Sequence, residues 1–141
     1  MNRTILIADD KPQMRRAIRS LLETHTGWDV AEAEDGLQAV ERAQQYKPDI
    51  VVLDLAMPEL NGFEAARQIA HVLPHVPILL NTLYASPQVE EEARKIGVQQ
   101  VISKCEVQRL VPLIEEIFEA RPAARNVAQS FPPINLNNLS P

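Results

Sequence analysis

The chain holds a single cysteine, Cys105, among 141 residues. One thiol forms no internal disulfide and no thiolate-rich metal site, so the reading is a protein of a reducing compartment, the cytoplasm. Long apolar runs are missing too, and the start MNRTILIADD has neither the apolar stretch nor the cleavage site of a secretory leader. Neither export nor membrane spanning is expected. Basic residues are outnumbered, 14 against 19 acids for a net charge of −5. A broad phosphate-tracking surface for nucleic acid is therefore not expected.

Four of the eleven prolines (Pro122, Pro132, Pro133 and Pro141) fall in the last twenty residues, where Arg125 is the only charged residue and glycine is absent. Residues 1–121 are accordingly read as one domain, of a size that buries roughly two-thirds of its unfolded surface. Residues 122–141 are read as a Pro- and Asn-containing tail or linker, expected to be disordered.

What is present is an alternation of two hydrophobic periods. Strands are predicted at Thr4–Ala8, Val30–Ala33, Ile50–Leu53, Val76–Leu80 and Val98–Ile102. Three of them, the first, third and fourth, read as nearly continuous apolar runs, as in parallel strands covered on both faces. Met14, Ile18, Leu21 and Leu22 form a helical stripe after Pro12, a residue suited to a first helical turn. Further helices are predicted at Leu37–Tyr46, Phe63–Leu73 and Pro87–Ile96, the last stopped by Gly97. A fifth is apolar at Leu110, Leu113, Ile114, Ile117 and Phe118, but Pro112 requires it to begin late or to kink. Right-handed crossovers then give an open, doubly wound parallel sheet whose ligand site lies beyond the carboxyl ends of its strands.

The residues at those ends carry the chemistry. Asp9 and Asp10 follow the first strand, Asp54 the third, Thr82 the fourth and Lys104 the fifth. Two carboxylates ~4 Å apart repel by about 4 kcal/mol at an effective dielectric near 20, so three together need more than one lysine. A hard divalent cation suits them, and Mg²⁺ takes one or two carboxylates together with a substrate phosphate. Taken singly, each residue has a plainer reading: Asp10 as a helix cap, Asp54 as a turn acid, Thr82 as a strand end, Lys104 as a solvated charge. Their joint placement after four parallel strands is what those readings do not supply. His25, His71 and His75 lack ligand spacing and are read as surface or partly buried residues, and Trp28 as a packing residue near the second strand.

The segments ILIADD with MRR, VVLDLAMPELNG, LLNT and VISK make the chain resemble the CheY-like receiver domain of two-component response regulators, over roughly residues 3–120. The pattern D-x-x-M-P-x-x-x-G is carried by Asp54, Met57, Pro58 and Gly62. The resemblance implies a flavodoxin-like (βα)5 fold with strand order 2-1-3-4-5. It implies Asp54 as phosphoacceptor from the phosphohistidine of a sensor histidine kinase or phosphotransfer protein, with Thr82 and Lys104 holding phosphoryl oxygens. Mg²⁺ is implied on Asp10, Asp54 and the carbonyl of Ala56, with Asp9 acting largely through water.

The implied output is a conformational switch read by a downstream effector, with the fourth and fifth helices as the expected dimer or partner surface. Direct nucleic-acid binding by this chain is not expected, since nothing after Arg121 is long or basic enough for a helix-turn-helix. The signal is expected to leave through a partner protein or through a domain beyond Pro141.

Four residues depart from the family pattern. Val101 replaces a frequent aromatic, and Cys105 stands where a proline with a cis peptide is common. Leu83 and Tyr84 follow Thr82 where a small residue is frequent, and an altered lifetime of the acyl phosphate is expected from them. Among alternatives, a flavodoxin-like carrier is disfavoured by acids in place of a glycine- or hydroxyl-rich first loop. A haloacid-dehalogenase-type phosphatase lacks its D-x-D pair, because Asp9 and Asp10 are adjacent. An unphosphorylated interaction module would not need the intact five-residue site.

Overall fold

A computed structural model describes residues 2–121. The expectation for residues 122–141 lies outside the described residues. The order is β1 (Arg3–Ala8), α1 (Pro12–Leu22), β2 (Trp28–Ala33), α2 (Gly36–Tyr46), β3 (Ile50–Leu53), α3 (Gly62–Val72), β4 (Ile78–Thr82), α4 (Pro87–Ile96), β5 (Gln100–Ser103) and α5 (Leu110–Ala120). All strand pairings are parallel and the sheet order is β2-β1-β3-β4-β5. The doubly wound five-stranded sheet is as expected.

Both faces of the sheet are covered, so the central strands are apolar throughout. Leu6, Val51, Leu53 and Leu80 face α2, α3 and α4, where Ala39, Ala43, Ala65, Ala66, Ile69 and Ala93 bring those helices in close. The alternate residues Ile5, Ile7, Val52 and Leu79 face α1 and α5, meeting Ile18, Leu22, Leu110, Ile114 and Phe118. Trp28 packs as expected, stacked on His25 at 3.9 Å and edge-on to Phe118.

Helix ends follow local chemistry. The side chains of Asp35, Asn61 and Ser86 accept the amides of Gln38, Glu64 and Val89. Gly97 closes α4 at φ 98°, a left-handed conformation that a β-carbon disfavours.

Four strands depart from their expected bounds. β4 does not begin at Val76 but after Pro77, which has no amide to give the ladder, and it runs on through the polar Asn81 and Thr82. β5 lies two residues later at its start, and β1 and β2 begin earlier, at Arg3 and Trp28. α5 does begin late: a 3₁₀ turn over Lys104–Arg109 precedes it, leaving Pro112 in the first turn, where amides have no intrahelical acceptor. The plain reading of Asp10 as a cap is not what is found. Lys11 occupies the N-cap of α1 without a side-chain hydrogen bond.

Candidate phosphoacceptor site

The alternation that builds the core also builds the site. Asp9, Asp54 and Lys104 each stand two residues beyond a member of the α1/α5-facing core (Ile7, Val52 and Ile102), so they continue that face past the carboxyl edge. The ladder extends with them, the Asp9 amide donating to the Ala33 carbonyl and the Asp54 amide to that of Ala8. Asp9 and Asp54 are 2% and 4% exposed and Lys104 7%, which excludes the reading of the lysine as a solvated charge.

Lys104 Nζ donates to Asp9 Oδ2 at 2.7 Å and lies 3.2 Å from Asp54 Oδ2. Asp9 Oδ1 also accepts the Lys11 amide. Burial pushes the Asp54 carboxyl above its ordinary pKa, with the Asp9 charge adding to the shift and Lys104 opposing it. Burial disfavours the Lys104 ammonium, but its contacts with Asp9 and Asp54 outweigh that, and its pKa is raised.

Oxygens of Asp9, Asp10 and Asp54 all lie within 4.8 Å of one another. Asp10 Oδ1 is buried and has no hydrogen-bond partner, the state expected of an oxygen placed for a cation. Three carboxylates against one ammonium leave a net negative pocket of oxygen donors. Mg²⁺ fits this donor set.

The loop after β3 explains the D-x-x-M-P-x-x-x-G spacing. Met57 is buried in the α2/α3 side of the core. The Gly62 amide donates to the Leu55 carbonyl at 2.8 Å, and a β-carbon on Gly62 would lie 2.3 Å from the Asp54 carbonyl oxygen. The turn thus folds back hard against the residue that it presents.

Of the predicted residues, Asp9, Asp10, Asp54 and Lys104 converge, and Ala56 lies exposed in the adjoining loop. Thr82 is fully buried at the end of β4, with its hydroxyl accepting the Tyr84 amide at 3.1 Å and not joined to the acids. Leu83 and Tyr84 beside it are well exposed. Val101 is half-buried against the core, and no peptide among the described residues is cis, that of Cys105 included. Sequence reading passed over Asn81, a polar residue closing an otherwise apolar strand.

Residues 5–115 match the response regulator receiver domain family. The chain belongs to that family. It is 36% identical over 105 residues to the chemotaxis protein CheY of Thermotoga maritima, covering 74% of this chain and 87% of that protein. It is 35% identical to the transcriptional regulatory protein PdtaR of Mycobacterium tuberculosis over 80% of this chain, which is 55% of PdtaR. Among solved structures, a LuxR-family two-component response regulator from Aurantimonas superposes with a TM-score of 0.80 at 31% identity, covering 92% of this chain and 98% of that one. The chain is thus a CheY-like receiver, a signalling module of two-component systems. No helix among the described residues is long and apolar enough to cross a membrane.

Proposed function

We propose that Asp54 receives a phosphoryl group from the phosphohistidine of a sensor histidine kinase or phosphotransfer protein, in a Mg²⁺-dependent reaction in the cytoplasm, and that the product signals to a downstream effector. The observation that carries this reading is a nearly buried carboxylate held between further acids and a single buried lysine. An Asp54 carboxylate oxygen attacks phosphorus; the new P–O bond forms as the P–N bond breaks, and its electron pair returns to the imidazole nitrogen. Such a transfer needs positioning and charge neutralisation more than acid–base chemistry.

Lys104 supplies fixed positive charge beside Asp54 and opposes the rise that burial imposes on its pKa. Asp10, Asp54 and the Ala56 carbonyl would hold Mg²⁺, with Asp9 behind them. Bound there, the ion offsets carboxylate repulsion and neutralises phosphoryl oxygens. The Thr82 hydroxyl keeps its proton free to donate to a phosphoryl oxygen once the β4–α4 loop moves. The added charge of about −1.5 to −2 is what would draw it in.

The test is to mix the protein with Mg²⁺ and acetyl phosphate and to compare intact masses with those of Asp54→Asn. One phosphate on the parent and none on the variant is the expected result. No adduct on the parent, or an unchanged adduct on the variant, overturns the assignment.

A further inference from the structure

β4 reads Ile78-Leu79-Leu80-Asn81-Thr82, and Asn81 is 1% exposed. Neither Oδ1 nor Nδ2 of its side chain has a hydrogen-bond partner. A buried amide without partners is costly, and asparagine is also a poor strand residue. A leucine at this position would match its neighbours in shape and bury without that cost. Such exceptions in a native core call for an explanation, and they collect at functional sites.

The sheet says what this amide is beside. Leu79 belongs to the α1/α5-facing core, and Asn81, two residues on, shares its face. Leu53 pairs with Leu80, so the next rung sets Asn81 level with Asp54 on the neighbouring strand, while Asn81 itself pairs with Ile102 on the other side. Lys104, two residues beyond Ile102, reaches from the end of β5 to Asp54 on β3 and Asp9 on β1. β4 lies between β5 and β3, so the lysine spans the width of β4 at its carboxyl end, on the side of the sheet that Asn81 shares. The amide is therefore level with the proposed phosphoacceptor, on the side of the sheet that the lysine spans. One ammonium proton goes to Asp9 and the charge also lies 3.2 Å from Asp54, which leaves donor capacity for a further acceptor.

We infer that Asn81 is a positioning residue for Lys104: its Oδ1 accepts an ammonium proton not used by Asp9 when Lys104 shifts toward a phosphoryl group on Asp54, holding the charge in place. The inference rests on the reading of Asp54 as phosphoacceptor. It accounts for an amide kept without partners in the unphosphorylated state, since the partner arrives with the phosphoryl group.

Asn81→Leu removes the amide at nearly the same branched shape, and Asn81→Ser restores a short acceptor at the cost of a small void. Rates of adduct formation from acetyl phosphate with Mg²⁺, followed by intact mass, should fall about tenfold in Asn81→Leu, the loss of one hydrogen bond to a charged group, with Asn81→Ser between. Thermal stability should rank differently, Asn81→Leu above the parent and Asn81→Ser below it. A merely structural asparagine would make rate follow stability, and that result overturns the inference. In the unmutated protein, the Asn81 side-chain amide resonance should shift on phosphorylation; an unmoved resonance overturns it without recourse to any variant. Failure of the parent to form an adduct sinks the phosphoacceptor reading itself, whereas equal rates in parent and Asn81→Leu sink only the role of Asn81.

Discussion

Asp54→Asn is the substitution whose sign the structure decides most sharply, because the residue proposed for function is also one that folding would do better without. The nearest oxygens of Asp9, Asp10 and Asp54 lie within 4.8 Å, so at an effective dielectric near 20 each acid pair repels by about 3.5 kcal/mol. Lys104 at 3.2 Å returns about 5 kcal/mol to Asp54 on the same scale. Two repulsions against one attraction leave Asp54 about 2 kcal/mol to the bad before its burial is counted. Asparagine keeps the shape and discards the charge.

In a chelator at neutral pH, Asp54→Asn should therefore melt roughly 5–10 °C above the parent. Mg²⁺ should raise the parent more than the variant, since it binds the native carboxylates and Asp54 is one of them. The pH dependence has a definite sign. The folded pKa of Asp54 is raised, so its contribution is fully present below the ordinary carboxylate pKa and is lost as pH rises through the raised value. The two proteins should converge in acid and separate toward neutrality. A variant that melts below the parent in chelator, or a gap that does not close in acid, would refute the electrostatic account.

Two further outcomes probe the frame around the site. Gly62→Ala should destabilise by about 3 kcal/mol in urea titration and lower the yield of phosphorylated protein, because both near contacts of the new β-carbon are backbone of Asp54 and Leu55. In an open helix the same change would stabilise, so the direction tests the clash. Burial works against ionised Glu32, but its hydrogen bonds from Arg19 and Arg15 outweigh it and its pKa is lowered. Its contribution is then present above the ordinary carboxylate pKa and lost as pH falls through the lowered one. Glu32→Gln should cost stability at neutral pH and flatten the acid limb of a stability–pH series; an unchanged acid limb would count against the cluster.

Most of the topology was legible because the strand cores, β2 apart, are blocks of β-branched or leucine residues, several bounded by punctuation with a mechanism, such as Lys47-Pro48 before β3 or Gly97 before β5. The errors have a common physical origin. Apolarity marks where a strand is buried in the core, whereas the ladder continues as far as backbone amides find acceptors. β4 accordingly extends through Asn81 and Thr82, and β1 and β2 start at residues that read as loop.

The acids and the lysine were legible because parallel strands bring their carboxyl ends to one edge whatever their separation in sequence. The state of Thr82, bonded to the Tyr84 amide instead of the acids, was not. A hydroxyl's partner depends on loop geometry that no spacing encodes. Asn81 was missed for the same reason that it is informative: one polar residue at the end of an apolar run reads as the strand's boundary.

The same alternation makes the core and the site parts of one device. Ile7, Val52, Leu79 and Ile102 are packed against α1 and α5 where the sheet is closed, and two residues further along each strand the positions become Asp9, Asp54, Asn81 and Lys104. Extending the face by one pleat exchanges dispersion contacts for three groups that repel or cross-link and one amide with no partner. None of these is what stability alone would select. The rigid face beneath fixes their backbone, so the site can hold uncompensated charge without the chain relaxing away from it. A phosphoryl group and a divalent cation would relieve different parts of that imbalance: the cation would meet the carboxylates, while the phosphoryl group would give Lys104 a new anion to turn toward. Under the proposed function, a row of side chains left incomplete in the resting protein is what would let a covalent change at Asp54 be felt at β4 and β5, the strands that lead into α4 and α5.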